Sequence, residues 1–125
     1  MQPSFFTPLA EPAAMPPRLF MIVDTEEEFD WSAPFSRGNV RVTANQEVGR
    51  LQGVVEAFGL RPTYVCDYPV AATPSSAAKL GEIAARGDCR IGAHLHPWVT
   101  PPFDEPLEPA MSFGCNLGAW IEGAK

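Results

Sequence analysis

Cys89-Arg90-Ile91-Gly92-Ala93-His94-Leu95-His96-Pro97-Trp98 carries both histidines of the 125-residue chain, at the end of a short β-prone run. Read as a strand over Cys89–Ala93, the run delivers His94 at its C-terminal end. Strand side chains alternate between faces, so residues spaced i and i+2 share one, and His94 and His96 can grip one metal ion together. Pro97 cannot donate to a β-ladder, so it ends the strand and holds the second imidazole in a fixed loop. One histidine at a strand end is ordinarily structural; two at this spacing make a metal site an equal reading. Trp98 either walls a pocket, where its ring would stack on a sugar, or is a core tryptophan.

Upstream of this stretch, strands and helices alternate. Leu19-Phe20-Met21-Ile22-Val23 is a continuous apolar run, as expected of a strand buried on both faces. A polar loop passes through Gly38 and Asn39. Val48, Leu51, Val55 and Phe58 then form a helical stripe, with Thr43 or Asn45 as cap, Gly59 as stop and Arg61-Pro62 preventing continuation. Thr63-Tyr64-Val65-Cys66 is a second short strand, ending in Asp67. A second helix is expected from Ser75 or Ser76 to Arg86, with Leu80, Ile83 and Ala84 inward and Gly87 closing it. Cys89–Ala93 is the third strand, a Pro-rich loop spans Pro97 to Pro109, and Asn116 caps a last helix over 117–122. This β-α-β-α-β rhythm predicts an α/β fold with a parallel sheet and right-handed crossovers. Three strands cannot close a barrel, so the expectation is an open sheet or the beginning of a larger fold.

In this arrangement Asp24, Asp67 and His94 each lie just past a strand's C-terminal end. Parallel strands gather those ends on one rim, where α/β folds build their active sites. The cluster Asp24-Thr25-Glu26-Glu27-Glu28-Phe29-Asp30-Trp31 follows the first strand. A run of acids is ordinarily a solvated loop. Asp24 and Glu26, two apart, would nevertheless both point to the rim, one as a base and one as a metal ligand, with Glu27 facing away. Trp31 shapes the pocket edge or sits in a surface turn. Asp67 hydrogen-bonds a substrate hydroxyl or caps the following loop.

Composition narrows the classes further. Hydrophobic residues at 46% and charged residues at 19% describe a globular chain. A net charge of -6, without a basic patch, argues against nucleic acid or an anionic membrane surface as partner. Cys66, Cys89 and Cys115 form no CxxC pair, so they read as core thiols in a reducing cytoplasm rather than a disulfide framework. No stretch reaches the roughly eighteen apolar residues needed to span a bilayer, and the Pro-rich residues 1–18 lack a secretory signal's basic start. The cytoplasm is the default address. There is no GxGxxG, Walker loop or GxSxG elbow.

Together, Ile22-Val23-Asp24-Thr25-Glu26, Arg61-Pro62-Thr63-Tyr64-Val65 and Ile91-Gly92-Ala93-His94 resemble the polysaccharide deacetylase (NodB-homology) superfamily, which includes family 4 carbohydrate esterases. The resemblance covers about Leu19 to Trp98. It implies that residues 19–125 are the N-terminal part of a distorted (β/α) TIM-like barrel, a metal-dependent hydrolase removing N-acetyl groups from a carbohydrate. By that likeness Asp24 is the general base, and Glu26, His94 and His96 hold the metal. Zinc suits two imidazoles and one carboxylate, and manganese, cobalt or nickel also fit. Asp67, Trp98 and Trp31 would then face the carbohydrate.

The chain departs from the family pattern in three places. Thr25 stands where a second adjacent aspartate is usual, and Trp98 where the second histidine of His-x-x-x-His is usual. The later motifs, which supply an arginine and an acid histidine, would lie beyond residue 125. Two alternatives remain: another metal-dependent amidohydrolase on a similar barrel, or a non-catalytic carbohydrate-binding domain. The oligomeric state is open.

Overall fold

The computed structural model describes residues 16–104, 106 and 107. Three strands, β1 (Ile22–Thr25), β2 (Thr63–Cys66) and β3 (Arg90–Ala93), form one sheet in the order β1-β2-β3. Both pairings are parallel, with Asp24 opposite Val65 and Val65 opposite Gly92. A 3-10 turn (Thr43–Glu47) leads into α1 (Val48–Ala57), which connects β1 to β2; α2 (Tyr68–Ala72) and α3 (Pro74–Ala85) connect β2 to β3. This is the α/β alternation expected, as an open three-stranded unit. The expected last helix over 117–122, Cys115 and most of the Pro-rich lead-in lie outside the described residues. No helix among the described residues is long and apolar enough to cross a membrane.

The core lies between the helices and one sheet face. Val42, Val48, Tyr64, Val70, Leu80, Ile83 and Cys89 form it, and Val23, Cys66 and Ala84 pack against it. Pairing sets the same-face residues: Val23 lies beside Tyr64, and Thr25 beside Cys66. The opposite face carries no second layer among the described residues, and this overturns one expectation. Leu19, Phe20 and Ile22 are 77, 75 and 65% exposed, not buried on both faces. The strand also starts at Ile22, so Asp24 is its third residue rather than the first beyond it.

The stripe on α1 is shifted by one position. Val48 and Val55 are buried as expected, but Leu51 and Phe58 are exposed and Gln52 points inward. A buried amide is tolerated because its polar atoms are satisfied. Gln52 accepts from the Tyr64 hydroxyl at 2.8 Å and donates to the Asp88 carbonyl at 3.1 Å. Residues 48, 52 and 55 are an i, i+4, i+7 set, as valid a helical face as the all-apolar one. Both expected glycine stops hold, with Gly59 and Gly87 at φ of 68 and 79°. On α3, Leu80 and Ile83 are buried as expected, together with Ser76.

Helix α2 was not anticipated. Asp67 caps it by accepting the Val70 N–H at 2.9 Å, and a proline stands in its first turn. Asp followed by Pro two residues later is a helix-start signature, and it was present in Asp67-Tyr68-Pro69.

Candidate metal centre

The C-terminal ends of the three strands deliver the polar residues to one place. β2 runs straight into Asp67 and β3 into His94, whose N–H extends the ladder to the Cys66 carbonyl at 2.8 Å. Glu26 follows β1 directly. Glu26 Oε2 lies 3.3 Å from His96 Nε2 and 3.7 Å from His94 Nε2, while His94 Nδ1 lies 3.6 Å from Asp24 Oδ1. The 3.6 and 3.7 Å separations are too long for hydrogen bonds, so these atoms face a shared space rather than saturate one another. Asp24, Glu26, His94 and His96 are thus brought together, as the sequence suggested.

The donor set fits a divalent ion. One ligand atom from each of Glu26, His94 and His96 lies within 4.8 Å of the other two. Zinc at about 2.0–2.2 Å from each ligand, in tetrahedral geometry, would place them roughly 3.3–3.5 Å apart. The Glu26–His96 separation of 3.3 Å matches that spacing, and the Glu26–His94 separation of 3.7 Å is slightly wider. Glu26 and His94 are partly exposed, with side chains 26 and 24% accessible, so an ion and a solvent molecule both have access. Asp24 is exposed beside His94 on the solvent side.

Behind this layer lies a buried one that the sequence misassigned. Glu27 was expected to face away, yet it is 2% exposed. Thr25 and Glu27 are both buried while Asp24 is exposed and Glu26 half-buried, so the side facing away from Asp24 is the interior. The Glu27 N–H turns inward to donate to Asp67 Oδ2 at 2.8 Å. Its carboxylate meets His96 Nδ1 at 2.8 Å through Oε2, and accepts the Trp98 indole N–H at 2.8 Å through Oε1. Burial works to raise Glu27, but the contacts with His96, Asp67 and Trp98 outweigh it and bring its pKa down to about 2. Burial, then the neighbouring Glu27 carboxylate, pushes Asp67 up to about 7. His96 is lowered by burial but raised more by Glu27, Glu26 and Asp67, so it ends above its ordinary value.

Glu27, Asp67 and His96 also approach one another closely enough to hold an ion. All four carboxylate oxygens there already meet protein nitrogens, however: Trp98, His96, Glu27 and Val70 each take one. The outer group is the one with open coordination.

The three residues expected to face a carbohydrate diverge. Trp98 is 3% exposed and is a core tryptophan, its ring stacked on His96 at 4.4 Å and tilted against Phe35 at 4.3 Å. Asp67, 1% exposed, is spent on the α2 cap and on Glu27. Only Trp31 presents a face to solvent, 65% exposed and edge-on to His96 at 6.3 Å. Glu28 is a structural clamp, bound to Arg41 at 2.6 Å and to the Ala44 N–H at 2.7 Å. Cys66 is a free thiol that burial pushes up to about 11, which disfavours the thiolate. Compared with models of protein families, with curated proteins and with solved structures, the chain matches none.

Proposed function

We propose that this chain is the N-terminal part of a metal-dependent hydrolase that removes acetyl groups from an N-acetylated carbohydrate, of polysaccharide-deacetylase type. The observation that carries the reading is the convergence of Glu26, His94 and His96 on one solvent-facing point, with Asp24 beside it. Those three residues would hold the ion, zinc first by donor chemistry, with manganese, cobalt or nickel as alternatives. A divalent ion there supplies Lewis acidity toward the acetamido carbonyl and toward water.

The chain's own residues supply the remainder. Asp24, on the open side of the site, would take a proton from water as that oxygen attacks the carbonyl carbon. The C–N bond then breaks and the departing amine nitrogen takes up that proton, leaving acetate and the free amine. His94 Nδ1 lies 3.6 Å from Asp24, so the proposed base stands beside the proposed ion site. The exposed Trp31 ring offers an apolar face for a sugar, whose C–H surface packs on aromatic faces as other apolar groups do.

Acetate release from an N-acetylglucosamine oligomer, with zinc supplied, tests the reading. Wild type should release acetate, and Asp24→Asn should slow it by roughly 10²–10⁴-fold while zinc stays bound. A zinc-loaded chain that releases none, or an Asp24→Asn variant of undiminished rate, overturns it.

A further inference from the structure

Glu27 takes no part in the chemistry above, yet its side chain, like that of Asp67, is 0% accessible. A carboxylate oxygen can only accept, so the 2.8 Å contact from Glu27 Oε2 requires His96 Nδ1 to carry the hydrogen. In the neutral ring Nε2 then holds the lone pair, and Nε2 is the atom 3.3 Å from Glu26. The Trp98 indole N–H holds the other carboxylate oxygen, Oε1, and the Glu27 backbone N–H is tied to Asp67. The Trp98 ring, stacked at 21° on the imidazole, fixes the ring plane as well. His94 has no comparable partner: its nearest carboxylate, Asp24, is 3.6 Å away and exposed.

We propose that Glu27 is the positioning residue of this centre, setting His96 in the one tautomer and orientation a metal ion accepts. His96 is therefore the preformed ligand and His94 the adjustable one. The inference rests on the metal-centre reading, and it assigns a purpose to a buried acid that the proposed ligand set leaves unused. Outer carboxylates of this kind orient ligating histidines, and their loss typically weakens metal binding by about 10–100-fold.

The test is nitrogen-15 NMR of the two histidines in the metal-free chain at alkaline pH, with a His94→Gln variant to assign the signals, followed by zinc titrations. Wild-type His96 should be protonated on Nδ1. In Glu27→Gln the amide oxygen is claimed by the Trp98 N–H, an obligate donor, so the amide nitrogen faces His96. Its tautomer should invert to Nε2–H, and zinc affinity should fall about 10–100-fold. Trp98→Phe keeps the carboxylate, so the Nδ1–H tautomer should persist with a smaller loss.

Nε2–H in wild type overturns the proposal, as does unchanged zinc affinity in a folded Glu27→Gln variant. Should that variant not fold, the wild-type tautomer decides alone. Wild-type protein that shows Nδ1–H but binds no zinc overturns the metal centre instead, which separates the two failures.

Discussion

Truncating Glu27 to alanine removes the acceptor for two buried donors at once. His96 Nδ1 and Trp98 Nε1 both lie 2.8 Å from this carboxylate, and the two residues are 5 and 3% exposed. Each buried donor left without a partner costs about 1–3 kcal/mol, toward the upper end where the lost partner is charged. Two effects reduce the total: the vacated space admits water to serve the donors, and Asp67 is relieved of a like charge that helps hold it at about 7. The net expectation is a loss of about 3 kcal/mol, at the low end for breaking a buried ion pair. For a domain of this size that corresponds to a fall in melting temperature of roughly 12–24 °C. Urea and thermal unfolding of the metal-free chain, followed by circular dichroism, would measure it. The control is Glu47→Ala, whose own side chain and Arg50 partner are both exposed, which should leave the midpoint little changed. A loss below about 1 kcal/mol in Glu27→Ala would mean that the buried layer is not what holds the rim together.

Two further outcomes follow from the same structure. Gly59 sits at φ 68° with open space around a would-be Cβ, so Gly59→Ala should cost about 1 kcal/mol through backbone conformation alone. Gly81, inside α3 with equally open space, should gain about 0.5–1 kcal/mol on replacement by alanine; equal effects in urea titrations would contradict the helix boundaries. Stability should also depend on pH. Glu27, lowered from 4.5 to about 2, contributes above 4.5 and is lost as pH falls toward 2. Asp67, raised from 3.8 to about 7, contributes most below 3.8, and that contribution is lost as pH rises through about 7. His96, raised above 6.5, likewise contributes below 6.5 and is lost as pH rises through its folded value. Urea midpoints of the metal-free chain should therefore peak near pH 4 to 5 and decline through pH 7; a midpoint that rises from pH 5 to 7 would contradict the assignment.

The rim was legible in the sequence because it rests on rules that survive folding. Strand β2 ends at the turn signal Asp67-Tyr68-Pro69, parallel pairing puts its end beside that of β3, and His94-Leu95-His96 follows β3 without intervening chain. Glu26 was legible for the same reason, one residue past β1. Glu27 was not, because alternation sets it on the side of Thr25 without saying that this side is the interior, where its partner Asp67 lies forty residues away. Trp98 posed a choice between pocket wall and core that only its indole partner decides. Gln52 hid inside an apolar stripe because its burial depends on Tyr64 and Asp88, neither of them on its own helix. The exposed Leu19 and Phe20 show the converse, since an apolar run reports what a strand can bury and not what stands opposite it.

The most direct test of the metal centre is zinc stoichiometry and affinity of the purified chain beside a Glu26→Ala/His94→Ala variant. Both replaced residues are partly exposed, so the variant should keep its fold. The expected result is one zinc per wild-type chain and none in the folded variant. A folded wild-type chain that takes up no zinc, or a variant that binds it equally well, would contradict the site.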